Sequence, residues 1–266
     1  MAILCDSELM SHICFIQGDW LNPTVWEKFE RHFKACGYAC SILSLPVSGE
    51  QGWYQILHGK DARFSPLKCL VDFYAIQIAG FSTPPILIGH AMGGLIVQLL
   101  LDRGLGLAGV AIASRPPQRV CPGSRSLLQI LTASVERRKG MRFLRMTPAQ
   151  FFCWMAYPGS RPSAAPLYEQ LVGRVPQTLM ITAALGVGGR LLFSQERGPL
   201  LLISAGDDRM VASSVVLANY FYQRRTLAPT DYIEFPGHGH LLIVQPGWER
   251  VADRIIEWLQ QQLGWF

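Results

Sequence analysis

The stretch Ile86-Leu87-Ile88-Gly89-His90-Ala91-Met92-Gly93-Gly94-Leu95-Ile96-Val97 constrains the chain more than any other. An apolar, strand-like run reaches a glycine, reverses within a few residues and resumes as an apolar helix. So tight a turn leaves no room for a Cβ where strand and helix come closest, and Gly89 and Gly93 stand at those two positions. Between them stands Ala91. A strand feeding directly into a helix is also the repeating unit of a parallel sheet.

The chain around this turn alternates in the same way. His12 to Ile16 reads as a buried strand, followed by Gln17-Gly18-Asp19-Trp20 and a helix that Asn22 and Pro23 initiate and Gly37 stops. Tyr38 to Leu45 is apolar on both faces, as a central parallel strand should be, and Pro46 ends it. A polar, Gly-containing loop runs from Val47 to Ser65. Leu67 to Ile78 has helical periodicity, Ile86 to Ile88 is the third strand, and Leu107 to Ala113 the fourth. Leu200 to Ser204 and Tyr232 to Phe235 complete six strands, and a last helix carries Val251, Ile255 and Trp258 on one face. Gly104 to Gly109 spells G-x-G-x-x-G, but it leaves a helix and enters a strand, the reverse of a dinucleotide loop. From Arg115 to Gly198 the alternation fails. Helix-like pieces at Leu127–Arg138, Pro148–Tyr157 and Leu167–Leu185 predict a strand-free helical cap over residues 115–198, inserted into a core of residues 1–114 and 199–266.

Composition narrows the functional classes. The 266 residues carry a formal net charge of +5, yet the basic groups are scattered and no aromatic-rich basic motif accompanies them, so nucleic acid is not expected as a partner. His90, Gln98 and Asp102 break the longest apolar run, which argues against a membrane span. Met1 to Gln17 has no basic leader, and Asp6 and Glu8 interrupt its apolar residues. Seven dispersed cysteines without a C-x-x-C pair suit reduced thiols, so a soluble, cytoplasmic protein is expected. No His/Cys/Asp/Glu set has ligand spacing, so neither metal nor cofactor is expected. A homodimer is left open.

Gly89-His90-Ala91-Met92-Gly93-Gly94 resembles the G-x-S-x-G nucleophile elbow of the α/β-hydrolase superfamily, with alanine where that family has serine. The resemblance runs from His12 to Leu263. It implies a mainly parallel open sheet with helices on both faces, and a triad in the order nucleophile, acid, histidine. By the resemblance Ala91 holds the nucleophile position, with positive φ and its side chain above the carboxyl end of the sheet, Asp208 in D-R-M-V is the acid and His240 in G-H-G-H the base. Asp207 and His238 stay open as alternatives to the last two. His90 is expected to support the elbow, and His12, His32 and His58 to have core or surface roles. The implied oxyanion donors are the N–H groups of Met92 and Asp19, with Trp20 the neighbouring candidate. Gln17 departs from the family's usual histidine before Gly18.

What the resemblance implies chemically is acyl transfer to water on an ester, thioester or lactone. A cap rich in aromatics points to a small hydrophobic substrate. Trp20, Phe143, Phe151, Phe152, Trp154 and Tyr157 are the candidates for contact with it. Ala91 has no oxygen to attack with. The chain therefore reads either as a hydrolase inactivated at its nucleophile, able to trap substrate, or as a naturally non-hydrolytic relative. The second class covers a His-dependent lyase, cyclase or isomerase and a ligand receptor.

Overall fold

A computed structural model describes residues 11–44, 50–57, 65–123, 128, 131–138, 140–155, 161–193 and 196–264. Strand β1 (Ile13–Ile16) leads through a one-turn 3-10 helix into α1 (Glu27–Ala35), where the Asn22 side chain accepts a hydrogen bond from Thr24 N–H at 3.1 Å. Phe29 and Phe33 of α1 are fully buried and meet Phe15 of β1 edge to face. Next come β2 (Cys40–Leu43), α2 (Glu50–Leu57) and α3 (Pro66–Ile78), the last capped by the Ser65 hydroxyl. Strand β3 (Ile86–His90) turns into α4 (Met92–Leu101), and β4 (Ala108–Ile112) follows. No residue of β3, α4 or β4 is exposed, so apolar side chains can cover these elements all round.

After β4 the chain departs from the expected pattern. Residues 115–198 are not strand-free: β5 (Ser134–Arg138), β6 (Met141–Arg145) and β7 (Arg174–Pro176) form an antiparallel sheet of their own, in the order β5-β6-β7. Helices α5 (Arg161–Leu171) and α6 (Gln177–Ala184) flank β7. The helix expected over Leu127–Arg138 is a strand from Ser134 onward, because Arg138 pairs with Met141 across a tight connection in which Gly140 has φ 78°. The helix expected over Leu167–Leu185 is two helices. Pro176 lacks an N–H and drives the residue before it into an extended conformation, so Arg174–Pro176 pairs as a strand.

Strand β8 (Leu200–Ala205), α7 (Ser213–Gln223), β9 (Thr230–Phe235) and α8 (Trp248–Leu263) close the fold. The central sheet has the order β2-β1-β3-β4-β8-β9 and every pairing in it is parallel. Helices cover both faces: α1 packs on α8, and α3 packs on α4. Since all six strands point the same way, the segments after β1, β3, β4, β8 and β9 leave from one edge of the sheet, where ligands of open α/β sheets bind. Among the described residues no helix is long and apolar enough to cross a membrane.

Close approach fixes the turn after β3. A Cβ on Gly89 would lie 2.3 Å from the backbone of Gly93, and one on Gly93 would lie 2.5 Å from the carbonyl oxygen of Ile16. Neither obstacle is a side-chain tip that can swing away. Gly89→Ala should therefore destabilise by more than the ~1–3 kcal/mol usual for overpacking. Urea unfolding measures this, and a cost below about 1 kcal/mol would show that the contact is looser than described.

Candidate functional site

Ala91, between β3 and α4, has φ 52° and ψ −114°, a conformation that L-residues avoid. Its backbone is tied on both sides. The Ala91 N–H donates to the Ile112 carbonyl at 2.9 Å, and the Ala91 carbonyl accepts the Arg115 N–H at 3.0 Å. The end of β4 thus holds the turn open, and the only side-chain group at its apex is the methyl of Ala91. That methyl is 2 % exposed.

Two other edge segments meet near it. After β8, Asp208 directs Oδ1 at the N–H groups of Met210 and Val211 (2.7 and 2.9 Å) and Oδ2 at Nδ1 of His240, 2.8 Å away. A carboxylate accepting at Nδ1 places the ring proton there and leaves Nε2 as the lone-pair nitrogen. Nε2 is buried and has no hydrogen-bond partner among the described residues. His240 itself is 1 % exposed. Asp207 is exposed and gives its N–H to the His238 carbonyl, while Nδ1 of His238 faces the Pro236 carbonyl at 3.1 Å. Of the two candidate pairs, Asp208 and His240 are the residues brought together.

His90 supports this arrangement from the neighbouring position. Its Nε2 donates to the His240 carbonyl at 2.9 Å, and the two rings lie 4.5 Å apart. Burial, with the nearby His240 adding to it, pushes the His90 imidazole down to about 3, against the pull of its hydrogen bond and of Asp19. His90 is accordingly a neutral donor that fixes the backbone of the histidine loop.

The first loop differs from the sequence expectation in its use of Met92. The Met92 N–H, expected to face an oxyanion, donates instead to Oδ1 of Asp19 at 3.0 Å. Oδ2 of the same carboxylate accepts from Arg115 Nε at 2.8 Å and Nη2 at 2.6 Å. Burial alone would raise the Asp19 carboxyl; the Arg115 guanidinium and the Met92 N–H outweigh it and hold Asp19 below the ordinary carboxylate range. Backbone position can be read from a motif, whereas the direction of a short side chain cannot. Arg115 went unnoticed for a related reason. Its only signal is being a charged residue just beyond a central strand. Gln17 donates to the Leu21 carbonyl at 3.5 Å within the loop, and Trp20 is buried with φ 63°.

Aromatics of the inserted segment divide by burial. Phe143 on β6 and Phe151 belong to the hydrophobic core, where Phe151 packs against Tyr168 edge to face. Phe152 and Trp154 are half-buried against that core. Tyr157 lies outside the described residues. The turn Phe151–Met155 is fastened to the acid-bearing loop by Arg209 Nη1, which donates to the Cys153 carbonyl at 3.3 Å. Among the described residues no group of three or more His, Cys, Asp or Glu side chains could hold a metal ion.

Comparison with known proteins agrees with the fold. The model of the alpha/beta hydrolase family matches residues 15–254. None of the curated proteins matches the chain by sequence. Among solved structures, tomato methylketone synthase I complexed with 2-tridecanone is similar with a TM-score of 0.66 at 16% identity, over 95% of this chain and 99% of that one. A monoacylglycerol lipase from Paleococcus ferrophilus gives 0.66 at 15% identity, over 94% of each chain. Polyneuridine aldehyde esterase gives 0.64 at 12% identity, over 93% of this chain and 98% of its own. At these identities the likeness is one of fold.

A buried neutral histidine makes stability depend on pH. The folded-state pKa of His90 lies below the unfolded value of about 6.5, so the unfolded chain binds the extra proton between about pH 6.5 and 3. Stability should fall as pH drops through that window, by up to roughly 1.4 kcal/mol per pH unit from this group. His90→Gln keeps a donor for the His240 carbonyl and cannot titrate. Denaturant unfolding between pH 7 and 4 should show a shallower slope for the variant; equal slopes would contradict a neutral His90.

Proposed function

The chain belongs to the alpha/beta hydrolase family, and from that premise we propose that its site is built for acyl transfer from an apolar ester, thioester or lactone, with the attacking oxygen missing at Ala91. One observation carries this reading: the Asp208–His240 pair stands complete, its Nε2 buried and unengaged, beside a turn that holds Ala91 at φ 52°. Keeping a non-glycine residue in that conformation costs roughly 1–3 kcal/mol, and it presents nothing but a methyl group.

The chemistry of the pair is definite. With a hydroxyl at position 91, Nε2 of His240 takes its proton as the oxygen attacks the acyl carbon, and Asp208 stabilises the imidazolium through Nδ1. The same proton then passes to the leaving group. Water repeats the sequence to release the acid. In the chain as it stands these steps have no first nucleophile, and the site binds its ligand without acyl transfer. The half-buried Phe152 and Trp154, on a turn tied to the acid loop through Arg209, support an apolar substrate.

A second reading is favoured by a separate observation. Asp19 occupies the Met92 N–H that acyl transfer would use, which suits a naturally non-hydrolytic member: a lyase, cyclase or isomerase moving protons through His240, or a ligand receptor. Ala91→Ser separates the two. The variant should acquire an acyl adduct, visible by intact mass, from at least one member of a panel of apolar esters, thioesters and lactones, and the parent should bind that compound without an adduct. Turnover by the parent that leaves no adduct and disappears in His240→Ala would establish the non-hydrolytic enzyme. A correctly folded Ala91→Ser protein that forms no adduct across the panel would end the acyl-transfer reading.

A further inference from the structure

Asp19 is bound the way a ligand anion would be. One carboxylate oxygen sits 3.0 Å from the first backbone N–H of α4, and the other takes two N–H groups of one guanidinium at 2.8 and 2.6 Å. The Asp19 side chain is fully buried and that of Arg115 is 4 % exposed. Arg115 cannot drift from this place, because its own N–H is bonded to the Ala91 carbonyl. The residue that pins the elbow is thus the one that carries the cation.

We propose that Met92 N–H and the Arg115 guanidinium form a carboxylate-binding socket, filled by the chain's own Asp19, which slows acyl transfer at the site independently of Ala91. The inference rests on reading the elbow as the hydrolase site. An oxygen of a tetrahedral intermediate needs a donor at Met92, and it meets a carboxylate already bonded there. Two like charges cannot share one amide in a buried space, so a hydroxyl at position 91 alone restores acyl transfer only slowly, with an adduct that still accumulates. Removing the carboxylate leaves a buried cation and a free amide, a vacancy that a small external carboxylate matches in charge and geometry.

Two experiments test the socket. In the Ala91 protein, Asp19→Gly removes the equivalent of one acetate. Its thermal midpoint should drop by several degrees and recover by at least half in 100 mM sodium acetate, with sodium chloride at equal ionic strength ineffective and the parent indifferent to both. Asp19→Gly with Arg115→Met keeps the buried space free of unpaired charge and should show no acetate response. In the Ala91→Ser background, an alkyl fluorophosphonate reports on the open oxyanion position, because its phosphoryl oxygen must settle there as the serine oxygen displaces fluoride. Labelling followed by intact mass should be at least ~100-fold faster when Asp19→Gly and Arg115→Met are added, the scale of one oxyanion donor. Equal labelling rates would overturn the occlusion and leave the hydrolase reading standing. An acetate response in Asp19→Gly with no adduct in any variant carrying Ala91→Ser would support the socket and overturn the hydrolase reading. Absence of any acetate effect in Asp19→Gly would overturn the socket.

Discussion

Everything at the carboxyl edge of the sheet depends on the backbone of Ala91 being held at φ 52°. Alone, that residue would relax into an ordinary region of conformational space and gain roughly 1–3 kcal/mol. It is prevented from doing so by two backbone hydrogen bonds to the end of β4 and by the contact of Gly89 with Gly93, which lets helix and strand approach within Cα distance. The strain is thus balanced by central sheet pairing, the part of the fold least able to give way. A turn held so firmly fixes the direction of α4, hence the position of the Met92 N–H. Through Arg115 it also fixes the cation that faces it.

Two buried hydrogen-bonded pairs lie close to the Ala91 turn: Asp208 with His240, whose ring meets that of His90, and Asp19 with Arg115, which are bonded to Met92 and to the Ala91 carbonyl. They differ in what they leave open. Asp208 spends one oxygen on the backbone and one on the ring, so His240 keeps a nitrogen unused. Asp19 spends both oxygens on donors that lie on either side of it, and nothing remains for a ligand. His240 thus keeps an unengaged nitrogen, whereas the Met92 N–H is already bonded. The closed arrangement accounts for the low exposure of both of its partners. It equally explains how a charged loop residue is tolerated at the end of β1, since Arg115 neutralises it and Met92 completes its bonding.

The central sheet was legible because its six strands are short apolar runs bounded by Gly and Pro, and G-H-A-M-G-G placed the turn to the residue. Asp208 could be favoured over Asp207, and His240 over His238, because only backbone position mattered there. Strand β5 was not legible. Its sequence, Ser-Val-Glu-Arg-Arg, is mostly exposed, has no apolar alternation and pairs along one edge only with β6. Strand β7 was hidden inside an apparently helical run, although Gly173 and Pro176 signal the break. The role of Asp19 was hidden for another reason. A motif specifies which amide faces the site, and it says nothing about whether a side chain from the same loop turns back to occupy that amide.

Strand β4 pairs with β3 on one side and with β8 on the other, and the inserted segment separates β4 from β8. As the chain is synthesised, the β8-facing edge of β4 has no partner until roughly 90 further residues have been added, about 5 to 18 s at ordinary translation rates. During that interval a fully buried strand of the finished protein offers an open row of backbone donors and acceptors to any extended chain nearby. The antiparallel sheet β5-β6-β7, whose pairings are all local to the insertion, can form before β8 emerges. Strand pairs that close within the insertion reduce the length of loose chain beside that edge before β8 arrives.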